Sequence, residues 1–312
     1  MSGRLLPFVG LVIVVVAACD LIWPRPSAAP DPGLGAWTPG LAAPQALTEV
    51  AATTHDGRIW VAGGLAGDGR AVSSVLTYDP RAGTWATGPE LPEPVHHSAL
   101  VSDGDALFLI GGYRADGQPT DTVLVLQGDS WIEHFPLPAP RGAGAAAWDG
   151  VGRIVYAGGV GGTGVSDDLF VQEEHGWRRL GTLSEPREHL AAASDGAGAV
   201  YFLGGRRGGL AGNVAVTDIV SDGEITRLGD LPTARGGVAA FWWPMLGACL
   251  VGGESPGGTN SEVECIGPDG SMVRLPDLGR ARHGLGAAVL DDRVYTLLGG
   301  ERPGLFVSDL VE

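Results

Sequence analysis

Arginine side chains recur at a regular interval along the 312-residue chain, and their chemistry suits the recognition of acidic groups. A first set recurs every 46 to 48 residues within the segments LPAPRG, LSEPRE, LPTARG and LGRARH, and its members are Arg141, Arg187, Arg235 and Arg282. At the corresponding places in the first two intervals, the alignment puts Gln45 and Val95. A guanidinium group binds a carboxylate through two parallel hydrogen bonds and stacks on flat groups. The spacing therefore predicts several such groups on one face of a repeating structure.

A second set of arginines follows Gly-Gly doublets, and its members are Arg114, Arg206, Arg207 and Arg302. Histidines His97 and His189 lie close to the first set in sequence. We predict that both sets and these two histidines form one ligand-binding surface, which we call the Arg-bearing rim. The alternative is that the first set is structural and bonds loop carbonyls or pairs with acids.

Histidine clusters can also hold a metal ion or titrate near neutrality, and His96 and His283 lie near the same rim. Adjacent residues on a strand point to opposite faces, so His96 and His97 are expected to diverge. The spacings H-x-H and C-x-x-C are absent from the sequence. We therefore predict no metal site and no cofactor, and assign no catalytic residue.

A repeat of about 47 residues indicates which secondary-structure elements position these side chains. An apolar run followed by Gly-Gly recurs as IWVAGG, LFLIGG, IVYAGG, VYFLGG, ACLVGG and YTLLGG, with intervals of 46 to 48 residues between first glycines, at Gly63, Gly111, Gly158, Gly204, Gly252 and Gly299. Hairpin turns such as Asp56-Gly57 precede most doublets, and another strand follows each loop. Each repeat thus reads as four short strands, A to D. The D–A and B–C loops then share one face, which carries both arginine sets.

The doublet, together with Tyr78 and Trp85, resembles the kelch motif, and Trp131 and Trp177 continue the Trp column. The resemblance covers about residues 37–312 and implies an all-β, six-bladed kelch-type β-propeller. The blades would span about 46–91, 92–137, 138–183, 184–231, 232–278, and 279–312 plus 37–41.

The last repeat has only one strand, GLFVSDLVE, after its doublet, whereas Trp37 lies one repeat length before Trp85. We therefore expect the segment 37–41 to complete the last blade and to close the ring, which removes a free sheet edge.

The first residues have the pattern of an export signal. Arg4 precedes a 14-residue apolar run, Leu5 to Ala18, which is too short to span a bilayer core that needs about 20 residues. The run ends in Val-Ala-Ala-Cys and resembles the lipobox of bacterial lipoproteins, which implies lipidation at Cys19. Residues 1–18 would be the signal peptide and 19–36 a Pro-rich tether. The expected location is the outer face of the cytoplasmic membrane or the cell envelope.

The net charge of −16 disfavours binding to nucleic acid, and 52 glycines with 22 prolines suit many short strands. A monomer is expected. Cys249 and Cys265 flank one B–C loop and would lie nearly opposite, so they form either a disulfide or a pair of small core thiols.

Function is inferred partly from the resemblance. Kelch adaptors of ubiquitin ligases bind acidic peptides on the matching rim, which implies an unknown protein or an anionic carbohydrate as ligand here. Bacterial sialic acid mutarotases are six-bladed kelch proteins that need an acid/base residue beside an arginine, roles open to Arg187-Glu188 or Glu301-Arg302. Galactose oxidase-type enzymes hold copper through histidines, tyrosines and a Tyr–Cys crosslink, and no such set is matched. A tethered, non-enzymatic binding scaffold is favoured; a carbohydrate-active enzyme of the mutarotase or epimerase type and a structural envelope protein are the alternatives.

Overall fold

The computed structural model describes residues 35–312, which belong to one compact unit, Gly33–Glu312. The predicted signal peptide, Cys19 and most of the predicted tether lie outside the described residues. Within residues 35–312, no helix is long and apolar enough to cross a membrane.

This part of the chain forms 28 strands and one 3₁₀ turn, Leu210–Gly212. The strands of the first half are β1 (Ala51–His55), β2 (Arg58–Ala62), β3 (Val75–Asp79), β4 (Thr84–Thr87), β5 (Val95–His96), β6 (Ala99–Ser102), β7 (Leu107–Ile110), β8 (Tyr113–Arg114), β9 (Val123–Gln127), β10 (Ser130–Glu133), β11 (Ala145–Trp148), β12 (Ile154–Ala157), β13 (Val160–Gly161) and β14 (Gly164–Val165). Those of the second half are β15 (Asp168–Glu173), β16 (Gly176–Thr182), β17 (Ala191–Ser194), β18 (Val200–Leu203), β19 (Val216–Ser221), β20 (Glu224–Asp230), β21 (Ala239–Trp243), β22 (Gly247–Val251), β23 (Glu254–Ser255), β24 (Gly258–Thr259), β25 (Val263–Ile266), β26 (Met272–Leu275), β27 (Gly286–Leu290) and β28 (Arg293–Leu297).

Five four-stranded antiparallel sheets follow one another along the chain: β1-β2-β3-β4, β6-β7-β9-β10, β11-β12-β15-β16, β17-β18-β19-β20 and β21-β22-β25-β26. The innermost strands β1, β6, β11, β17, β21 and β27 each contact the next, and β27 contacts β1. The sheets therefore surround a common axis, and the expectation of an all-β propeller is confirmed. Short hairpins β5–β8, β13–β14 and β23–β24 lie beside the main sheets, and β27–β28 is a separate hairpin.

The core lies between neighbouring sheets. Val155 and Val171 of the third sheet pack with Val200 and Phe202 of the fourth, and all four are buried. Burying a side chain of this size contributes about 1.5–3 kcal/mol. The innermost strands instead carry many alanines, as in AAAW and AAAS, because the strands crowd together at the axis.

The Gly-Gly doublets bring one sheet into contact with the backbone of the next. Gly111 has φ 61°, and a Cβ there would lie 2.6 Å from the carbonyl oxygen of Arg141. Gly112 donates its N–H to that same carbonyl at 2.8 Å. Glycine suits this approach because it has no Cβ. The bond recurs from Gly159, Gly205 and Gly253 to the carbonyls of Arg187, Arg235 and Arg282. At the equivalent place to Gly111 in the last hairpin the chain has Leu298, with φ 62°.

Hairpin β27–β28 is extended by the two ends of the described chain. Thr296 and Glu312 exchange backbone hydrogen bonds of 2.8 and 2.9 Å, and Gly40 donates to the carbonyl of Val311 at 2.7 Å. The indole Nε1 of Trp37 donates to the carbonyl of Pro276 at 2.9 Å. Trp85, Trp131 and Trp177 make the same type of bond to a carbonyl 42 to 44 residues earlier in the chain, at Leu41, Pro89 and Phe135.

Cys249 in β22 and Cys265 in β25 are direct partners in the strand register, with a Cα–Cα distance of 3.9 Å. They form a disulfide, and both residues are completely buried. Of the two alternatives for this pair, the structure has the disulfide.

Candidate binding site on the propeller axis

The first arginine set lies inside the sheets. Arg187, Arg235 and Arg282 are 0% exposed and Arg141 is 7% exposed. Arg187 donates to Asp218 at 2.8 Å and to the carbonyl of Phe202 at 3.0 Å. Carboxylates also face the other three, in the pairs Arg141–Asp168, Arg235–Glu264 and Arg282–Glu312. The geometry favours the structural alternative for these four arginines, because burial and internal partners leave no guanidinium face for a ligand.

The column alignment behind that prediction needs one correction. Gly299 donates to the carbonyl of Leu47, as Gly112 does to Arg141, so the residue equivalent to the arginines in the first repeat is Leu47. Gln45 lies two residues too early. The shift also concealed Glu49, which is equivalent to His97 and His189 in later repeats.

The second set divides by position. Arg114, Arg207 and Arg302 lie at the surface, where Arg114 approaches Asp116, Arg207 pairs with Glu185, and the Arg302 guanidinium lies 5.6 Å from the centre of the Phe306 ring. Arg206 is instead drawn into a cluster at the axis, with 12% of its side chain exposed. It is bridged to Glu188 of the preceding A-strand opening, so residues after the doublets and residues opening the A strands do share one face.

A closed ring of backbone hydrogen bonds surrounds the axis on this face. Each N–H donates to the carbonyl of the preceding repeat: His97 to Glu49, Ala143 to His97, His189 to Ala143, Gly237 to His189, Gly284 to Gly237, and Val50 to Gly284, over distances of 2.8–3.3 Å. Residues 49, 97, 143, 189, 237 and 284 all have positive φ, between 52° and 65°. The ring fixes where the side chains of Glu49, His97 and His189 begin.

The positive φ of His97 overturns the expectation that His96 and His97 diverge. Strand β5 ends at His96, and at His97 the backbone adopts φ 54°. The two rings then lie edge to face with centroids 4.7 Å apart, and their Nδ1 atoms are in contact. Tyr113 stacks on His96 at 5.4 Å. Strand alternation does not apply across a residue in the left-handed region.

Glu49 lies between two histidines of the cluster. Its Oε2 is 3.1 Å from His97 Nε2, and its Oε1 is 3.1 Å from His283 Nδ1. The second nitrogen of His283, Nε2, donates to the carbonyl of Arg302 at 2.9 Å. Together with His189 and Ser98, Glu49 and His97 line a cavity of about 70 Å³.

Arg206 holds the other side of the cluster. It donates to Glu188 at 3.0 Å, to Glu254 at 2.7 Å, and through Nη2 to His189 Nε2 at 2.8 Å. Glu188 also contacts His189 Nδ1. His189 therefore has a donor at Nδ1 and a lone pair at Nε2, since a guanidinium only donates.

Burial and neighbouring charges shift the pKa values of several side chains in the cluster. Burial alone would raise the pKa of Glu49, but the imidazoles of His97 and His283 outweigh it and hold that pKa well below its usual range. Burial lowers the pKa of His97 to about 3 against the opposing charge of Glu49. Burial lowers the pKa of His283, yet Glu49 and Glu254 outweigh it and raise that pKa above its usual value.

Burial opposes ionisation of Glu188 as well, but hydrogen bonding to His189 and the charge of Arg206 lower its pKa. Near neutral pH, Glu49 and Glu188 are thus ionised and His97 is neutral. General acid–base catalysis requires a group that readily gains and loses a proton near the working pH. None of these three groups does so near neutral pH.

Of the predicted site residues, His97, His189 and Arg206 meet at the axis. The sequence-based prediction did not name Glu49, included Glu188 only as an acid/base residue under the mutarotase alternative, and left Glu254 and His283 outside the predicted binding surface. A correct column alignment would have found Glu49, because it lies 48 residues before His97.

Comparison with known proteins bears on the fold. A model of the kelch motif matches residues 46–92. Among curated protein sequences there is no significant match. The solved structure of a protein named YjhT superposes with a TM-score of 0.74 at 11% identity, over 86% of this chain and 95% of that one. With the sheets arranged around one axis, these matches show that the chain has the fold of a kelch-type β-propeller.

Proposed function

We propose that this protein is a non-enzymatic binding module whose ligand binds over the face that carries the axial cluster. The observation that carries the proposal is the convergence of Glu49, His97 and His189 around an axial cavity, with Arg206 bonded to His189 beside it. Ionisable side chains from several repeats meet there, although the rest of the inner wall is largely alanine. Clustered polar groups at a concave site are typical of ligand recognition.

The size of the cavity limits what enters it. A volume of about 70 Å³ holds one small group, whereas sites that enclose a whole small molecule measure roughly 300–1,000 Å³. The ligand is therefore larger than the cavity and inserts a single group, with the surrounding rim covering the rest. A protein segment or a carbohydrate chain fits this description.

The charge of the cluster limits which chemical group of a ligand can enter the cavity. Three largely buried carboxylates meet here: Glu188 and Glu254 pair with the guanidinium of Arg206, whereas Glu49 contacts His97 and His283. An anionic group would meet net repulsion at the centre, so the initial expectation of an acidic peptide or carboxylated sugar applies only to the outer rim with Arg114, Arg207 and Arg302. At the centre, a hydroxyl or a cationic group is favoured.

An enzyme of the mutarotase or epimerase type is the second candidate. The adjacency of Arg206, Glu188 and His189 favours it. The guanidinium of Arg206 can hold a sugar while Glu188 or His189 transfers a proton to it. The lowered pKa values of Glu188 and His97 count against it. Accelerated anomer exchange followed by NMR would identify this activity.

We further propose that the module is exported and tethered through a lipid on Cys19. The apolar run before Cys19 supports this, as does the disulfide Cys249–Cys265, because disulfides persist in oxidising compartments. Mass spectrometry of membrane-extracted protein should find acylated Cys19 as the first residue. An unmodified mature N-terminus elsewhere would refute the anchor.

The ring is proposed to have six blades, the sixth being β27–β28 completed by residues 309–311 and then by residues 40–43. The backbone bonds of Gly40 and Ala43 to this C-terminal segment support it. The Trp37 indole supports it too, since it donates to a carbonyl between repeats, at Pro276, as Trp85, Trp131 and Trp177 do at Leu41, Pro89 and Phe135.

The binding function is tested on glycan and peptide arrays with the purified full-length chain, followed by interferometry on the hits. His189→Gln alters the cavity, and Arg207→Ala alters the rim. Arg178→Ala is the control, because Arg178 lies exposed on the outer strand β16. We expect both site variants to weaken binding about tenfold or more, which corresponds to about 1.4 kcal/mol, and the control to bind as the wild type does. Absence of any saturable ligand, or ligands unaffected by either site variant, would overturn the proposal.

A further inference from the structure

The axial cluster holds more negative than positive charge. The side chains of Glu49, Glu188 and Glu254 are only 11%, 7% and 6% exposed, and Arg206 is their guanidinium partner. Even with His283 protonated, the carboxylates outnumber the cations by one. Uncompensated charge is costly at this depth, so the site is suited to a further cation.

Two buried oxygens in the cluster lack a hydrogen-bond partner, namely Glu254 Oε2 and Ser98 Oγ. Glu254 Oε2 lies 3.8 Å from His283 Nδ1, which is beyond hydrogen-bonding distance. Ser98 lines the cavity next to His97. Unsatisfied acceptors beside an excess of carboxylates point to a positively charged occupant rather than to a core that is closed.

Ligand atoms of the right kind converge beside these oxygens. Glu49, His97 and His189 each offer one atom such that all three lie within 4.8 Å of one another. His97 Nε2 is already 3.1 Å from Glu49 Oε2, and the His97 and His189 ring centroids are 4.6 Å apart. Ligands bound about 2.0–2.2 Å from a tetrahedral zinc ion lie about 3.3–3.6 Å apart, so small inward adjustments suffice.

The partners behind these ligands orient them for a metal. Glu188 holds His189 at Nδ1 and so directs the Nε2 lone pair towards the cluster. His96 contacts His97 at Nδ1 and leaves Nε2 facing Glu49. Carboxylates behind ligating histidines are a regular feature of metal sites. Arg206 Nη2 would leave His189 Nε2 on metal binding while keeping Glu188 and Glu254 as partners.

We propose that Glu49, His97 Nε2 and His189 Nε2 bind a divalent first-row transition-metal cation such as zinc on the propeller axis. Two histidines and one carboxylate are a donor set typical of zinc, and three protein ligands leave a fourth position open to the cavity. The inference deepens the proposed function and rests on it in taking this cavity as the binding site. A hydroxyl or carbonyl oxygen of the ligand would then complete the coordination.

The test uses the full-length chain, stripped with EDTA and titrated with Zn²⁺ by calorimetry and with Co²⁺ by visible absorption. We expect one metal ion per chain and the intense d–d bands of tetrahedral Co²⁺. His97→Ala and His189→Ala should each weaken Zn²⁺ binding at least tenfold, and Glu188→Gln, a positioning residue, should weaken it about 10- to 100-fold. His175→Ala is the matched control, because the His175 side chain is 83% exposed, and it should bind like the wild type.

Near-UV circular dichroism and melting of each stripped variant establish that it is folded, and Glu49→Gln replaces any variant that is not. Millimolar or non-stoichiometric zinc binding by the stripped wild type would overturn the metal site, as would unchanged affinity in folded His97 and His189 variants. Array binding is measured with stripped and with zinc-loaded protein. Binding of an array ligand without zinc binding would refute the metal site alone. Zinc binding without binding of any array ligand would refute the proposed function.

Discussion

A guanidinium group with no exposed surface, as at Arg187, has to be matched by charge and by carbonyl oxygens, because desolvation is severe. Asp218 and the carbonyl of Phe202 supply that match inside one sheet. The same arrangement at Arg235 and Arg282 makes this column part of the blade interior. Arginine type and spacing alone do not reveal burial, since a rim arginine and a core arginine have the same sequence period.

Arg187→Ala is expected to lower the free energy of unfolding by about 3–5 kcal/mol, because Asp218 is left as a buried charge without its partner. Arg178→Ala breaks an ion pair whose side chains are both 51% exposed, and it should cost about 0–1 kcal/mol. Urea unfolding measures both. Equal effects of the two substitutions would contradict the structural role.

Asp149 gives a pH-dependent prediction in the β11–β12 turn. It accepts the N–H groups of Val151 and Arg153 at 3.0 and 2.9 Å, and although burial opposes ionisation, these bonds lower its pKa. A carboxyl with a lowered folded pKa stabilises the fold above its unfolded pKa of about 3.9 and loses that contribution as pH falls.

Asp149→Asn should therefore cost about 1.5–3 kcal/mol at pH 7, the usual worth of bonds to a charged group, and clearly less near pH 3. Denaturant unfolding at both pH values provides the measurement, with Asp105→Asn in the corresponding turn of the second sheet as the control. A deficit that stays constant between the two pH values would show that ionisation is not the cause.

At the scale of elements, the Gly-Gly doublets explain why the repeat can be recognised in the sequence. In the first five repeats, the first glycine lies where the carbonyl of the next sheet approaches, as between Gly111 and Arg141, so the sequence period and the sheet period coincide there. In the last repeat, Leu298 occupies that place and the doublet is shifted by one residue. Which residues lie on the regular strands could also be predicted, because the strands recur with the sequence repeat. What escaped prediction depends on irregular backbone: the positive φ at His97, and the Leu47 register that sets Glu49 at the axis.

The disulfide joins neighbouring strands β22 and β25 of one sheet across a 16-residue separation. Replacing both cysteines by alanine should lower the unfolding free energy by about 3 kcal/mol, because a closed loop of that length limits the unfolded chain. The reduced wild type, with its thiols alkylated after unfolding, is the comparison for refolding yield. Identical stability of the double variant and the oxidised wild type would disprove the contribution.

For the whole molecule, we expect the ring to depend on the segment before the first sheet, where it bonds beside the hairpin β27–β28. Deleting residues 34–41 removes the Gly40–Val311 and Trp37–Pro276 hydrogen bonds and exposes one edge of the last sheet. We expect a strong loss of thermal stability, since an open edge also uncovers the core cluster around Leu47 and Val311. Deleting residues 25–32 instead, which keeps the chain length comparable, should leave melting unchanged. Unaltered melting of the 34–41 deletion would disprove closure.

The ring of hydrogen bonds around the axis is made by backbone atoms alone, although residues as different as Glu49, His97, Ala143 and Gly237 occupy it. Scaffold and chemistry are thereby separated: the ring demands a left-handed backbone at each position but no particular side chain. Substitutions at these positions can exchange the groups that meet at the centre, at a conformational cost of about 1–3 kcal/mol for a non-glycine residue. The axis is therefore a set of positions at which a substitution can change which side chains meet while the backbone hydrogen bonds that hold the ring stay in place.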